Sequence, residues 1–243
     1  MVTLPENVKK SPNEIPKYKK IWVYGAPYVG KTYFADSFPD ALFLSTDGNT
    51  KFISSPSMMI ENQIEEGSRL TKPNQYAWDY LKDILAELAR GRNTYQTIVF
   101  DLVEDMRTLC RKSKYNELGI SHESEIPGKA WDVVMNEFYE TMNKAANMNY
   151  NIVFISHEDI KTEFMSKTGD NVLAINPNIS PKFANKIAGM VDLTMRAVIE
   201  DGKRMLLIKS NEPTFKGSRI HNPPEKIPMT YEALDELYKG VRK

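Results

Sequence analysis

The sequence predicts an α/β fold: a mainly parallel β-sheet flanked by helices, with a β-hairpin towards the C-terminus. Three observations carry that expectation. Short runs of β-branched and aromatic residues alternate along the chain with stretches of helical periodicity. The octapeptide Gly25-Ala26-Pro27-Tyr28-Val29-Gly30-Lys31-Thr32 stands between the first such run and the first helix. Late in the chain, Asp201-Gly202 separates two further runs and supplies the positive φ angles of a tight hairpin turn.

Residues 1–16, with Pro5, Pro12, Pro16 and no periodicity, read as a flexible arm ahead of a single domain at 17–243. Ile21-Trp22-Val23-Tyr24 is a strand, 31–38 a short helix stopped by Pro39, and Ala41-Leu42-Phe43-Leu44 a second strand. That spacing suits a parallel crossover, which needs a dozen or more residues. The polar stretch 49–75 offers no clear element. A helix over 76–90 places Tyr80, Leu81, Ile84, Leu85 and Leu88 on one face and stops at Gly91. It leads into a strand, Thr97-Ile98-Val99-Phe100-Asp101. Residues 102–118 and 130–149 read as helices, the second with Val134, Met135, Phe138 and Met142 as a core stripe, and 119–128 as the loop between them. A buried strand at 151–156 ends in His157-Glu158. The segment 159–180 shows little pattern, and structureless segments of that size in compact domains are functional or disordered. The hairpin occupies 193–199 and 204–209, and the last helix about 230–239.

Composition narrows the function classes. With 41% hydrophobic residues in a chain of 243, a sizeable core can be buried. No apolar run is long enough to span a bilayer and the N-terminus lacks the features of a signal peptide, so the expected location is the cytoplasm. Cys110 is the single cysteine, which excludes an internal disulfide and reads as a small core residue. The 32 basic and 32 acidic residues balance, so no global field draws the chain to nucleic acid. Local clusters are Lys17, Lys19 and Lys20; Arg107, Arg111, Lys112 and Lys114; and Lys209, Lys216 and Arg219. Each taken alone reads as a solvated face.

The octapeptide fills the pattern G-x-x-x-x-G-K-[ST] without a departure, and a random chain of this length does so with a probability on the order of one in a hundred. In a strand–loop–helix context the backbone N–H groups of such a loop converge on an anion. Gly25, Ala26, Pro27, Tyr28, Val29, Gly30, Lys31, Thr32 and the following Tyr33 are thus the expected nucleotide-binding residues, Lys31 reaching the β- and γ-phosphates and the Thr32 hydroxyl holding Mg²⁺. Asp101, at the end of its apolar strand, fits the second metal-side carboxylate. Any buried parallel strand ending in Asp matches that pattern, so its weight comes from the octapeptide upstream.

The order of "LFLSTDGNTKF", "TIVFDLVED", "IVFISHED" and "LLIKSNEPTFKGSRI" after the phosphate loop resembles the phage-encoded nucleotide-binding ATPases of the RecA-like class, a family linked to phage recombination and single-strand annealing. The resemblance covers roughly residues 21–227. It implies a RecA-like fold, ATP and Mg²⁺ as cofactors, ATP hydrolysis coupled to single-stranded DNA, a homo-oligomer in ring or filament form, and phage replication or recombination proteins as partners in the host cytoplasm. It also implies catalytic roles. Asp47 falls where such proteins place the carboxylate that orients the attacking water, with Glu104 as the competing candidate. His157 falls at a polar sensor of the γ-phosphate or is a structural histidine. Segments 113–129 and 159–180 fall at DNA-contacting loops, and Arg219, with Lys209 and Lys216, at the basic residues offered to a neighbouring subunit. Two other readings stay open: a nucleotide-dependent adaptor with little turnover, and a P-loop kinase, against which stands the lack of arginine in 159–180.

Overall fold

The computed structural model describes residues 16–64, 73–165, 171–209 and 214–240, with 4 and 7, and gives side chains for all of these except 160–174. Most of the expected arm at 1–16 lies outside them. The parallel core of the sheet is built from β1 (Lys20–Gly25), β2 (Ala41–Ser45), β3 (Ser57–Met59), β4 (Thr97–Asp101), β5 (Asn151–Met165) and β7 (Leu193–Glu200). The remaining strands are β6 (Asn171–Pro177), β8 (Lys203–Leu207), β9 (Gly217–Ser218) and β10 (Lys226–Pro228). The order across the sheet is β10-β8-β7-β1-β5-β4-β2-β3, with β6 paired to β5 and β9 to β7. The expected fold class is therefore present.

Successive side chains of a strand point to opposite faces, and here both faces are covered. Trp22, Leu44, Ile98, Phe100, Ile152 and Phe154 pack beneath α2 (Ala77–Ala89), α3 (Val103–Leu118), α4 (Lys129–Ala146) and α5 (Pro181–Ala188). Ile21, Val23, Phe43, Val99, Val153 and Ile155 pack on the other face with α1 (Lys31–Asp36) and α6 (Tyr231–Lys239). Double-sided burial explains why these strands read as unbroken apolar runs. Trp22 satisfies its indole N–H inside the core by donating to Ser156 Oγ at 3.0 Å. Cys110 is buried in the first layer, as expected.

Several expectations are corrected. The patternless 159–180 contains the outer half of β5 and its antiparallel partner β6, with Glu158 opposite Pro177 and Met165 opposite Asn171. Once β5 leaves the parallel sheet, its backbone groups need new partners, and a hairpin supplies them. The undefined 49–75 contributes β3, parallel to β2. The helix α5 was overlooked although Ser180-Pro181 is a strong start, with proline at its first position. The basic clusters are not simply solvated. Lys19 is buried and pairs with Asp235 at 2.8 Å, Lys114 is buried against Glu117, and Arg107 lies over the Phe183 ring at 4.9 Å.

Candidate nucleotide site

The carboxyl ends of β1, β2, β4 and β5 share one edge, so the loops that follow them converge there. Sequence chemistry shapes the first of these loops. At the end of β1, a Cβ on Gly25 would lie 2.6 Å from the Ala197 carbonyl oxygen of β7. Only glycine lets the loop begin this close to the neighbouring strand. Tyr28 (φ 64°) and Gly30 (φ 100°) then reverse the chain into α1. Lys31 is buried and lies back along the loop, its Nζ donating to the carbonyls of Gly25 and Ala26 at 2.9 Å each. Burial lowers the Lys31 pKa, while Asp101 and Glu104 act to raise it.

One residue on, Thr32 Oγ1 donates to Asp101 Oδ2 at 3.1 Å, joining the loop after β1 to the end of β4. Burial, with the Asp47 carboxylate adding to it, pushes the Asp101 carboxyl up to about 6. A hydroxyl and a buried carboxylate side by side are the oxygen ligands a hard divalent cation takes when phosphates and water complete its shell. Among the described residues there is no cluster of three or more His, Cys, Asp or Glu side chains that would hold a metal by themselves. The Thr32 hydroxyl and the Asp101 carboxylate fit a Mg²⁺ ion that arrives with a polyphosphate. Around Lys31, Thr32 and Asp101 opens a cavity of about 500 Å³, also lined by Asp47, Asn49, His157 and the aromatic rings of Tyr28, Tyr33 and Phe52.

A family model described as an AAA domain matches residues 17–220 of this sequence. The chain belongs to the AAA domain family. No curated protein matches it. Membership makes this AAA domain a P-loop protein of the nucleotide-binding ATPase type, in agreement with the cradle. Among its described residues, no helix is long and apolar enough to cross a membrane.

The other anticipated residues of the AAA domain divide sharply. Asp47 reaches the cavity in the loop after β2, its carboxylate held by Ser45 Oγ (3.2 Å), the Asn49 N–H (3.0 Å) and Asn49 Nδ2 (2.6 Å). Thr46 fastens that loop to β4: its N–H donates to the Asp101 carbonyl at 2.8 Å and its hydroxyl accepts from the Leu102 N–H at 3.0 Å. Glu104, in the first turn of α3, is buried and turned to β5. Its Oε1 accepts from the His157 N–H at 2.8 Å and lies 3.2 Å from the ring Nδ1, while Oε2 is buried without a hydrogen-bond partner among the described residues. His157 lines the cavity, and its pKa is raised, chiefly by the bond to Glu104.

Arg219 is not brought to the cradle. It follows β9, beside the amino end of β7, at the opposite edge of the sheet. There its Nε donates to the Val191 carbonyl at 3.0 Å and its Nη2 to the Gly189 carbonyl at 2.6 Å. Of the stretch expected to contact DNA at 113–129, residues 113–118 belong to α3 and residue 129 opens α4, leaving 119–128 as the connection. The cation that sequence reasoning missed is Arg204. It stands on β8, lines the same cavity, and donates its Nε–H to the Val29 carbonyl at 3.1 Å. No motif marks Arg204, because its place depends on the register of a hairpin.

Proposed function

We propose that this AAA domain protein binds ATP with Mg²⁺ between the loop at Gly25–Thr32 and Asp101, and hydrolyses it in work on single-stranded DNA during phage recombination or replication. The observation that carries the reading is the bond between Thr32 Oγ1 and Asp101 Oδ2, which sets the metal-side hydroxyl and carboxylate beside the buried Lys31. When bound, Mg²⁺ would neutralise charge on the phosphates. Lys31 binds the β- and γ-phosphates once its ammonium leaves the Gly25 and Ala26 carbonyls. Asp47 orients water at the cavity rim. Glu104 positions His157, which stands where β5 passes from the parallel sheet into its hairpin with β6.

That junction supports coupling to DNA, because a change at His157 would be felt at the base of the hairpin. The homo-oligomer is part of the same reading. The test is Mg²⁺-dependent phosphate release by purified protein, with and without single-stranded DNA, beside Lys31→Ala. Hydrolysis that is stimulated by DNA and absent in Lys31→Ala is the expected result. Nucleotide binding without turnover in both conditions would favour the adaptor reading, and turnover that requires a small-molecule acceptor would favour the kinase.

A further inference from the structure

We propose that Arg204 is a second phosphate-binding cation, supplied to the cradle by the same chain. The inference rests on the nucleotide-binding reading above and names a residue which that reading does not contain.

The placement follows from register. β7 runs parallel to β1 as far as Ala197 opposite Gly25, then continues to Glu200, with Ile199 two residues past that pair. Ile199 pairs with Arg204 across the tight Asp201-Gly202 turn, so β8 carries Arg204 just past the sheet edge and over the phosphate loop. Contact there is close: a Cβ on Gly30 would lie 2.8 Å from Arg204 Nε and 3.1 Å from its Cδ. The Arg204 side chain is exposed, yet its Nε–H is fixed on the Val29 carbonyl. Its two Nη groups have no hydrogen-bond or ion-pair partner among the described residues, and the residue lines the cavity that also holds Lys31 and Thr32.

A guanidinium tethered at Nε and free at both Nη groups presents a flat fork of donors, the geometry that matches two oxygens of a phosphate. The tether removes part of the side-chain entropy that an untethered arginine would lose on binding. The carboxylates of Asp47 and Asp101 line the same cavity. The ligand class is the phosphate chain of a nucleoside triphosphate, and no neighbouring subunit is needed for this cation.

The experiment is calorimetric titration of the full chain with Mg²⁺ and either ATP or inorganic triphosphate, together with steady-state hydrolysis of ATP. Arg204→Ala is expected to weaken both ligands to the same degree, by about tenfold or more, and to raise KM with little change in kcat. Arg204→Lys should recover part of the loss, since it keeps charge without the fork. Arg204→Gln should be as weak as Arg204→Ala, whereas Lys203→Ala should match the wild type. Wild-type affinity in Arg204→Ala overturns the proposal. So does wild-type affinity in Arg204→Gln, which would mean that the side chain only shapes the loop, and so does a loss confined to ATP, which would place Arg204 at the nucleoside. A wild-type protein that binds neither ligand defeats the nucleotide reading itself, and this proposal with it.

Discussion

The carboxylate of Glu104 grips His157 twice, at the backbone N–H (2.8 Å) and at ring Nδ1 (3.2 Å), and so ties the first turn of α3 to the end of the parallel part of β5. The His157 pKa is raised, first by the Glu104 bond. A folded-state value above the unfolded one, about 6.5, means that this pair stabilises fully below that pH and loses its contribution as pH rises through the higher folded value. Thermal melts from pH 5.5 to 8.5 should show that decline in the wild type and a flatter profile in His157→Gln. Identical slopes would show that the ring does not charge in the fold.

Lys31→Ala should abolish detectable nucleotide binding and hydrolysis while preserving the fold, because among the described residues the ammonium's hydrogen bonds go to the loop carbonyls of Gly25 and Ala26 and not to the sheet's hydrophobic core. Nucleotide affinity and circular dichroism on the same sample check both halves. Wild-type turnover in this variant would remove the cradle from the chemistry.

Asp101→Asn separates metal binding from stability. Burial raises the Asp101 carboxyl to about 6, so the ionised form costs stability at neutral pH, and the cost is relieved as pH falls towards the unfolded value near 4. The amide should therefore stabilise the nucleotide-free protein at pH 7.5 by an amount on the order of 1–2 kcal/mol. The same variant should lose the Mg²⁺-dependent part of ATP affinity. A lower melting temperature together with unchanged Mg²⁺ dependence would contradict both statements.

Asp47→Asn and Glu104→Gln should part company. Asp47 lines the cavity with its carboxylate fixed by Ser45 and Asn49, so Asp47→Asn is expected to bind ATP normally and lower kcat by at least about a hundredfold. Glu104→Gln, which disturbs His157, should leave a larger residual rate and blunt the response to DNA. The reverse ranking in single-turnover hydrolysis would transfer the water-orienting role to Glu104.

Glycine at 25 is a packing requirement. A Cβ there would meet a backbone atom, the Ala197 carbonyl oxygen, at 2.6 Å, whereas among the described residues nothing lies within 4 Å of a Cβ at Gly217. Gly25→Ala should cost about 1–3 kcal/mol in denaturant melts and weaken nucleotide binding, with Gly217→Ala near neutral. Equal melts for the two would mean that β1 and β7 can separate freely.

The sequence by itself determined what depends on neighbours in the chain. The octapeptide fixed the loop between β1 and α1, since glycine spacing and the Lys-Thr pair act within a few residues. The unbroken apolar runs at 21–24, 97–101 and 151–156 announced strands buried on both faces, and Asp201-Gly202 announced its own turn, whose φ angles are 48° and 74°. Asp101 was legible because it ends such a run, and Asp47 and His157 were named by resemblance. What only the tertiary structure decided are contacts between residues far apart in sequence. Lys19 faces Asp235 and Glu104 faces His157, and neither partner carries a local mark of the other. Arg219, which the resemblance offers to a neighbouring subunit, is bonded to carbonyls at the sheet edge opposite its own chain's phosphate loop, while Arg204, unmarked by any motif, lies on Val29. A side chain's type limits what it can bind, but strand order and hairpin register decide which groups stand within 3 Å of it, and those are set by the burial of the whole sheet.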